Sequence, residues 1–318
     1  MYLRNASMKM LLSITCMVLL AGPLAAQEKE KDVFNYAAQK AAGADVKKIV
    51  FVADPGTHGP KGNHEFTVGA MFMARTLNAN YPKCYAVVHS SKQWPKDLSH
   101  ADAIVVLLNH GRSAVNPAVK EAVERGAGFM AIHYGVEVDK GAQGEAFLKW
   151  MGGYFEPSWS VNPHWTAKID KIPVHETTRG VKPFAIKDEW YYHMRFAEGM
   201  KGVTPILSAV PDASTITSRW KGGKAEAHAG NQAALDEVKA GKPQHLAWAY
   251  VRPDGGRGFG FTGYHHLSNL ENDSFRTVLL NGAAWVAKLE VPANGVPSRS
   301  LNRDDLDKLY EESLRYRK

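Results

Sequence analysis

The stretch that decides the fold is GAGFMAIHYGVE, residues 126–137. Its apolar centre, 129–132, is short, hydrophobic at every position and preceded by glycines. A strand buried on both faces of a parallel sheet reads this way. The run stops at His133, and the residues after it look like a sharp turn into a helix. In α/β enzymes such a turn lifts one side chain above the sheet edge, and a nucleophilic serine or cysteine usually stands there. Here the occupant is a histidine. If a helix starts at the turn, Glu137 lies four residues on and shares a face with His133, which suits a pair of metal ligands or an imidazole oriented by a carboxylate.

Working outward, KKIVFVAD (47–54) is another apolar run, ending in Asp54, and it opens into the turn-rich PGTHGPKGNHEF (55–66). TVGAMFMARTLNA (67–79) then has helical spacing, with Asn63 or a residue beside it as the expected cap. CYAVVH (84–89) and DAIVVLLNHG (102–111) read as buried strands, and NPAVKEAVERG (116–126) as a short helix with Pro117 in its first turn. Alternating strands and helices predict a doubly wound α/β fold with a mostly parallel sheet. Ligands of such sheets bind outside the carboxyl ends of the strands. Polar residues gather at that edge: Asp54, His58, His64 and Glu65 after the first strand, Asn109 and His110 after the third, His133 and Glu137 after the fourth.

Residues 152–241 carry more Pro, Trp and His and less periodicity, which predicts short antiparallel strands and long loops inserted at the active edge. QHLAWAYV (244–251) and GRGFGFTGYHH (256–266) are two strands around the tight turn RPDGGR (252–257). An amphipathic helix, 273–289, follows, and the chain ends in a charged helix expected to pack on the surface. At the other end, MKMLLSITCMVLLAGPLAA (8–26) has a basic start, an apolar run too short to span a bilayer comfortably and small residues at its close. It reads as a signal peptide cut after Ala26, with Ala25 the neighbouring choice, and Met8 as a second possible start. The expected organisation is a signal peptide (1–26), a linker (27–46), a main domain (47–292) and a C-terminal extension with a helix (293–318). The mature chain is then exported, to the periplasm or the outside, with no stable membrane span.

Loss of the signal removes Arg4 and Lys9 and takes the net charge from +7 to +5. Basic and acidic residues are interspersed, so the chain has no nucleic-acid footprint. Cys16 leaves with the signal, so Cys84 has no partner for a disulfide and sits in a strand-like run. The glycine-rich loop 55–66 has neither the dinucleotide fingerprint nor the phosphate-loop ending, which excludes a nucleotide cofactor. SVNPHWTAKI (160–169) and KDEWYYHMRF (187–196) set aromatic faces beside carboxylates and imidazoles, a combination suited to sugar rings with their apolar C–H patches and many hydroxyls. At 265–266, His265 is favoured over His266 as the one that reaches the site.

THGPKGNHEF, GFMAIHYGVE, WSVNPHWTA, VKPFAIKDEWYYHMRF and GGRGFGFTGYHH, in this order, resemble the ThuA-like (trehalose-utilisation) family over residues 47–292. Lys61, between Pro60 and Gly62, departs from that family's loop. The resemblance implies a fold like that of class I glutamine amidotransferases, related to the flavodoxin type, and a role in carbohydrate breakdown beside sugar oxidoreductases that make 3-keto glycosides. It does not imply glutaminase activity, which needs a cysteine where this chain has His133.

The expectation is an exported hydrolase or lyase acting on a glycoside or 3-keto glycoside, supplied by a sugar oxidoreductase. His133, Glu137 and Glu189 are the candidates for catalysis. His58, His64, Glu65, Asn109, Tyr134, His164, Trp165, Tyr191, Arg195 and His265 are the candidates for substrate contact, and His64, His133 and His265 for a divalent metal such as zinc. The alternative is a non-catalytic carbohydrate-binding protein with a degenerate amidotransferase-like site.

Overall fold

The structure, a computed structural model, describes residues 31–56, 58–221, 224–225 and 228–316. The strands that carry it are β1 (Lys47–Ala53), β2 (Cys84–Ser90), β3 (Ala103–Leu107), β4 (Gly128–Ile132), β5 (Trp165–Ile169), β6 (Phe184–Asp188), β7 (Val203–Ala209), β8 (Gln244–Val251) and β9 (Arg257–Phe261). Seven of them form one sheet in the order β2-β1-β3-β4-β9-β8-β7. The run β2-β1-β3-β4-β9 is parallel, whereas β8 is antiparallel to both β9 and β7. β5 and β6 form a separate antiparallel hairpin.

The apolar runs are unbroken because helices cover both faces of the sheet. Ile49 and Phe51 of β1 point into one core with the helices Phe66–Asn80 and Asp273–Val286. Val50 and Val52 point into the other, with Val119 of Pro117–Glu124 and Phe147 of Ala142–Met151. The chain leaves β1 outward to β2 and returns to β3 on the opposite side, so the strand order switches direction between β1 and β3. A crevice opens at such a switch point, at the carboxyl ends of the strands.

Three local expectations change. His133–Val136 is a single 3-10 turn, and Glu137 is extended, with φ −87° and ψ 123°. The next α-helix starts only at Ala142. Val138 N and Phe155 N bond across to Phe155 and Val136 carbonyls (3.2 and 2.9 Å), and Gly111 N takes the Glu137 carbonyl (2.8 Å), so the chain is drawn straight. His133 and Glu137 therefore share no helical face. Asn63 does not cap the helix Phe66–Asn80: Glu65 holds the cap position without a side-chain bond, and Asn63 Oδ1 faces His266 Nδ1 at 3.1 Å.

Finally, residues 31–46 are packed rather than linker-like. Val88 N of the edge strand β2 donates to the Val33 carbonyl (2.7 Å), Lys31 Nζ donates to the Pro82 and Cys84 carbonyls, and Gln39 of the helix Tyr36–Ala41 is buried. The segment thus occupies polar groups that an edge strand leaves open.

The C-terminal helix Arg303–Ser313 starts at a capping box of Asn302 and Asp305, buries Leu306 and pairs Glu312 with Arg75 (2.7 Å) on the helix Phe66–Asn80. The proposed signal peptide lies outside the described residues. Among the described residues, no helix is long and apolar enough to cross a membrane.

Candidate functional site

Four side chains from four separate segments meet at the crevice: His64 after β1, His133 after β4, Glu189 after β6 and His265 after β9. One ligand atom from each lies within 4.8 Å of the others. His133 is fully buried and His64 and His265 nearly so. The expectation that His133 stands clear of the core is corrected: residues of the β6 and β9 loops close over it.

The backbone at this point is held in costly conformations. His64 and His133 both have φ 53°, and Tyr264 has φ 91°. Non-glycine residues there cost on the order of 1–3 kcal/mol each and persist where their surroundings overdetermine them. The surroundings are visible. A Cβ on Gly69 would collide with the Tyr264 hydroxyl, which donates to the Glu65 carbonyl (3.2 Å), so glycine at 69 lets the His265 loop seat against the helix that follows His64. Asp188, fully buried, accepts from the backbone N–H of Tyr264 (2.7 Å), His265 (2.9 Å) and Glu189 (2.8 Å) and from Asn269 Nδ2 (2.9 Å). One carboxylate therefore ties the Glu189 segment to the His265 segment.

Hydrogen bonds fix the tautomers. His64 Nδ1 donates to the His58 carbonyl (2.8 Å) and His133 Nδ1 to the Thr262 carbonyl (2.9 Å). Each ring therefore offers Nε2 as a lone pair, and both Nε2 atoms face the same carboxylate oxygen, Glu189 Oε2, at 4.0 Å and 3.4 Å. His64 Nε2 is buried with no hydrogen-bond partner. His265 approaches the same oxygen through Nδ1 at 3.0 Å, and Asn162 Nδ2 donates to Oε1 (3.1 Å). Burial, with the His133 imidazole beside it, pushes His64 down to about 3. Burial acts upward on the Glu189 carboxyl, but the His133 and His265 imidazoles beside it outweigh that and hold it well below the usual carboxylate range. Tyr191, also fully buried, sets its hydroxyl 3.3 Å from His133 Nε2; burial holds the phenol well above its ordinary value, so it remains a donor.

A second carboxylate–imidazole group stands on the other side of Tyr134. Glu137 Oε1 lies 2.9 Å from His228 Nε2 and 3.4 Å from His110 Nε2. His110 Nδ1 accepts from Arg112 N (3.2 Å), which places its proton on Nε2, facing Glu137. Burial raises Glu137, and the bonds from His110 and His228 outweigh it and hold the carboxyl below its ordinary value. The bond to Glu137 raises His228 in turn. Gly111 allows the approach: a Cβ there would come within 2.7 Å of the Glu137 carbonyl. Tyr134 lies between this group and the first, with its ring centre 5.7 Å from that of His58 and 5.6 Å from that of His110.

The remaining expected residues divide. Exposed His58 stacks on His64 (3.7 Å between ring centres), and its Nδ1 meets Asn109 Oδ1 (2.8 Å), so both are at the mouth of the site. His164 is exposed with its ring 4.6 Å from that of His265. Glu65 is buried, and its carboxylate closes the loop by accepting Gly62 N (3.0 Å).

Tyr191 is buried and offers no open face for stacking on a sugar; Trp165 is 8% exposed and borders a cavity beside His164, and its Nε1 donates to the Trp190 carbonyl (2.9 Å). The alternation of β5 turns Trp165 inward, against Tyr192. Arg195 makes a two-pronged pair with Glu156 (2.9 and 3.0 Å) and stacks on Trp159, which satisfies it away from the cluster. Sequence reasoning missed His228, Asn162 and the tying role of Asp188. His228 sits in KAEAHAG, where no neighbouring pattern marks it, whereas Asp188 was visible beside Glu189.

The sequence matches the family model ThuA, trehalose utilisation, over residues 58–286, well over half of the chain. Among solved structures, a ThuA-like protein from Bacteroides uniformis ATCC 8492 is 18% identical, with a TM-score of 0.48, covering 77% of this chain and 94% of that one. A ThuA-like protein from Parabacteroides merdae ATCC 43184 is 14% identical, with a TM-score of 0.44 and coverages of 81% and 94%. An exo-β-1,4-mannosidase from an Opitutaceae bacterium, strain TAV5, is 11% identical, with a TM-score of 0.35 and coverages of 77% and 36%. No curated protein matches the sequence.

Proposed function

The chain belongs to the ThuA family, trehalose utilisation, and from that footing we propose that it is an exported, metal-dependent enzyme that cleaves a glycoside or 3-keto glycoside. One observation carries the metal. His64 and His133 turn lone pairs toward a single carboxylate oxygen inside a buried pocket, and His64 Nε2 has no other partner. Buried polar atoms are normally satisfied, and two acceptors facing a third are satisfied by a cation between them. Two imidazoles and a carboxylate are a familiar donor set for zinc and for iron(II). His64 Nε2, His133 Nε2 and Glu189 Oε2 are the ligands in this reading, and His265 Nδ1 and Asn162 hold the Glu189 carboxylate in place.

A divalent ion there supplies a Lewis acid for a substrate carbonyl or hydroxyl oxygen. The chain's own residues do the rest. In a 3-keto glycoside the keto group acidifies the C2 proton. Transfer of that proton to His228 Nδ1 and departure of the C1 oxygen substituent leave a C1–C2 double bond, and the same nitrogen returns the proton to the departing oxygen. Glu137 holds His228 by Nε2 throughout, so Nδ1 is the nitrogen free to exchange a proton. Tyr134 stands between the two groups, its ring near those of His58 and His110. Covalent acyl chemistry has no place here, because the turn after β4 presents His133 and the thiol of Cys84 is buried in a strand, its pKa pushed up to about 12 by burial.

The test is incubation of the chelator-stripped and zinc- or iron-reloaded protein with trehalose, simple glucosides and their 3-keto forms, followed by NMR of the products. The expected result is metal-dependent cleavage of the keto forms that disappears in His133→Ala. Cleavage unchanged by chelation, or sugar binding with no turnover of any substrate in metal-replete protein, contradicts the reading.

A further inference from the structure

We propose that the mouth of the site carries a second, outer metal position built from His164, His265 and His266. One ligand nitrogen from each of the three lies within 4.8 Å of the others. The His265 ring stands perpendicular to its two neighbours, with centres 4.6 Å from both and interplanar angles of 88° to His164 and 84° to His266. Four-coordinate zinc at about 2.0–2.1 Å from each nitrogen sets its ligand nitrogens about 3.3 Å apart. Of the three, exposed His164 has the most room to turn toward an ion, beside buried His265 and half-buried His266.

The hydrogen bonds around the three rings are those of prepared ligands. His265 Nδ1 is engaged by Glu189 Oε2 at 3.0 Å, and donation to a carboxylate leaves Nε2 as the lone pair. His266 Nδ1 faces Asn63 Oδ1 at 3.1 Å, an acceptor, which again leaves Nε2 free. A carboxylate or amide oxygen behind an imidazole is the usual support of a metal-bound histidine. His164 has no hydrogen bond of its own among the described residues, and a ligand that closes onto an ion from the solvent side has this freedom. The trio has no acidic member, so it favours zinc or copper over magnesium or calcium, which take oxygen ligands.

This outer position is distinct from the inner one yet coupled to it. Glu189 Oε2 serves the inner ion and accepts from His265, a ligand of the outer ion, so loading either position changes the charge that the other meets. His164 also lines a cavity of about 970 Å³ between β5 and β7, with Thr166, Lys168, Pro205 and Ser208 among its walls. An ion at the outer position therefore faces the space where the remainder of a substrate extends, and its open coordination positions suit sugar hydroxyls.

Stoichiometry tests the proposal independently of turnover. The chelator-stripped full chain is titrated with zinc by calorimetry, and bound metal is counted after gel filtration. The expected result is two equivalents for the unaltered protein, one for His164→Ala/His266→Gln, and one for His64→Gln, whose change lies in the inner group. Two equivalents in both the unaltered protein and the double variant, or a single equivalent that the double variant keeps, overturns the outer position. A single equivalent that the double variant loses and His64→Gln keeps supports the outer position and removes the inner one. No bound zinc in the unaltered protein removes both.

Discussion

The crevice holds two groups made of the same residue types, with opposite arrangements of protons. Around Glu137, both imidazoles turn Nε2 toward the carboxylate, and His110 is fixed as an Nε2–H donor by the backbone N–H on its other nitrogen. There the carboxylate faces His228 Nε2 at 2.9 Å and His110 Nε2 at 3.4 Å. Around Glu189, two imidazoles spend their Nδ1 protons on the carbonyls of His58 and Thr262 and turn lone pairs to the carboxylate. There the carboxylate meets lone pairs: the Tyr191 hydroxyl stands 3.3 Å from His133 Nε2, His64 Nε2 has no hydrogen bond, and in the proposed reading a cation completes the group. Composition does not separate the two groups; the backbone partner on the other ring nitrogen does.

The largest effect that bears on this contrast is expected from Glu189→Gln. An amide in place of the carboxylate is a poor ligand for a divalent ion. Zinc affinity should fall by more than about 100-fold, beyond the roughly 10–100-fold loss that follows removal of a supporting hydrogen bond. Calorimetry reads it, and an unchanged affinity would break the contrast. Asp188→Asn comes next. Its carboxylate serves four donors, and an amide turns an N–H pair against some of them, so a destabilisation of about 2–4 kcal/mol is expected in denaturant unfolding. Metal affinity should drop as the Glu189 and His265 segments loosen. Full stability in this variant would show that another interaction ties those segments.

Glu137→Gln probes the other half of the contrast and should leave zinc bound while slowing turnover by roughly 10–100-fold, in the range for loss of one acid–base contribution. The pH dependence has a definite sign. His228 is held above its ordinary value of 6.5, so its contribution to stability is complete below 6.5 and is lost as pH rises through the raised value. Glu137 is held below its ordinary value of 4.5, so its contribution is complete above 4.5 and is lost as pH falls through the lowered value. The pair therefore stabilises the fold most between 4.5 and 6.5. Melting temperatures across pH should show this advantage over Glu137→Gln, and NMR should show the His228 titration moving down in the variant. A His228 titration that does not move would sever the pair.

The smallest effect is expected from Trp165→Phe. It removes the bond to the Trp190 carbonyl and should cost about 1 kcal/mol of stability with no change in sugar affinity. Weakened sugar binding at unchanged stability would return Trp165 to the site.

The sheet was legible in the sequence because burial on both faces leaves apolar runs that few other structures produce, and β1, β3 and β4 stand where those runs stand. The hairpin turn at 252–257 announced itself by Asp-Gly-Gly. His64, His133, His265 and Glu189 were each visible as polar residues at strand ends or in polar-aromatic clusters, and the structure brings all four together. The directions of side chains were not legible. Trp165 and Tyr191 look like sugar platforms in a polar-aromatic run, but the two-residue period of a strand and a fully packed seam decide which face they show, and neither is written in composition. The pairing of Glu137 was missed for a related reason. A spacing of four implies contact only in a helix, and hydrogen bonds to Phe155 and Gly111 kept the chain extended, sending Glu137 to His228, 91 residues away.

The central claim is that the buried lone pairs of His64 and His133 and the Glu189 carboxylate enclose a cation. Anomalous diffraction from crystals of the zinc-loaded protein, collected on either side of the zinc edge, tests it directly. The expected result is a peak within about 2.0–2.2 Å of His64 Nε2, His133 Nε2 and Glu189 Oε2. Zinc-loaded crystals with no peak between those three atoms, and with the two imidazoles hydrogen-bonded directly to Glu189, would contradict it.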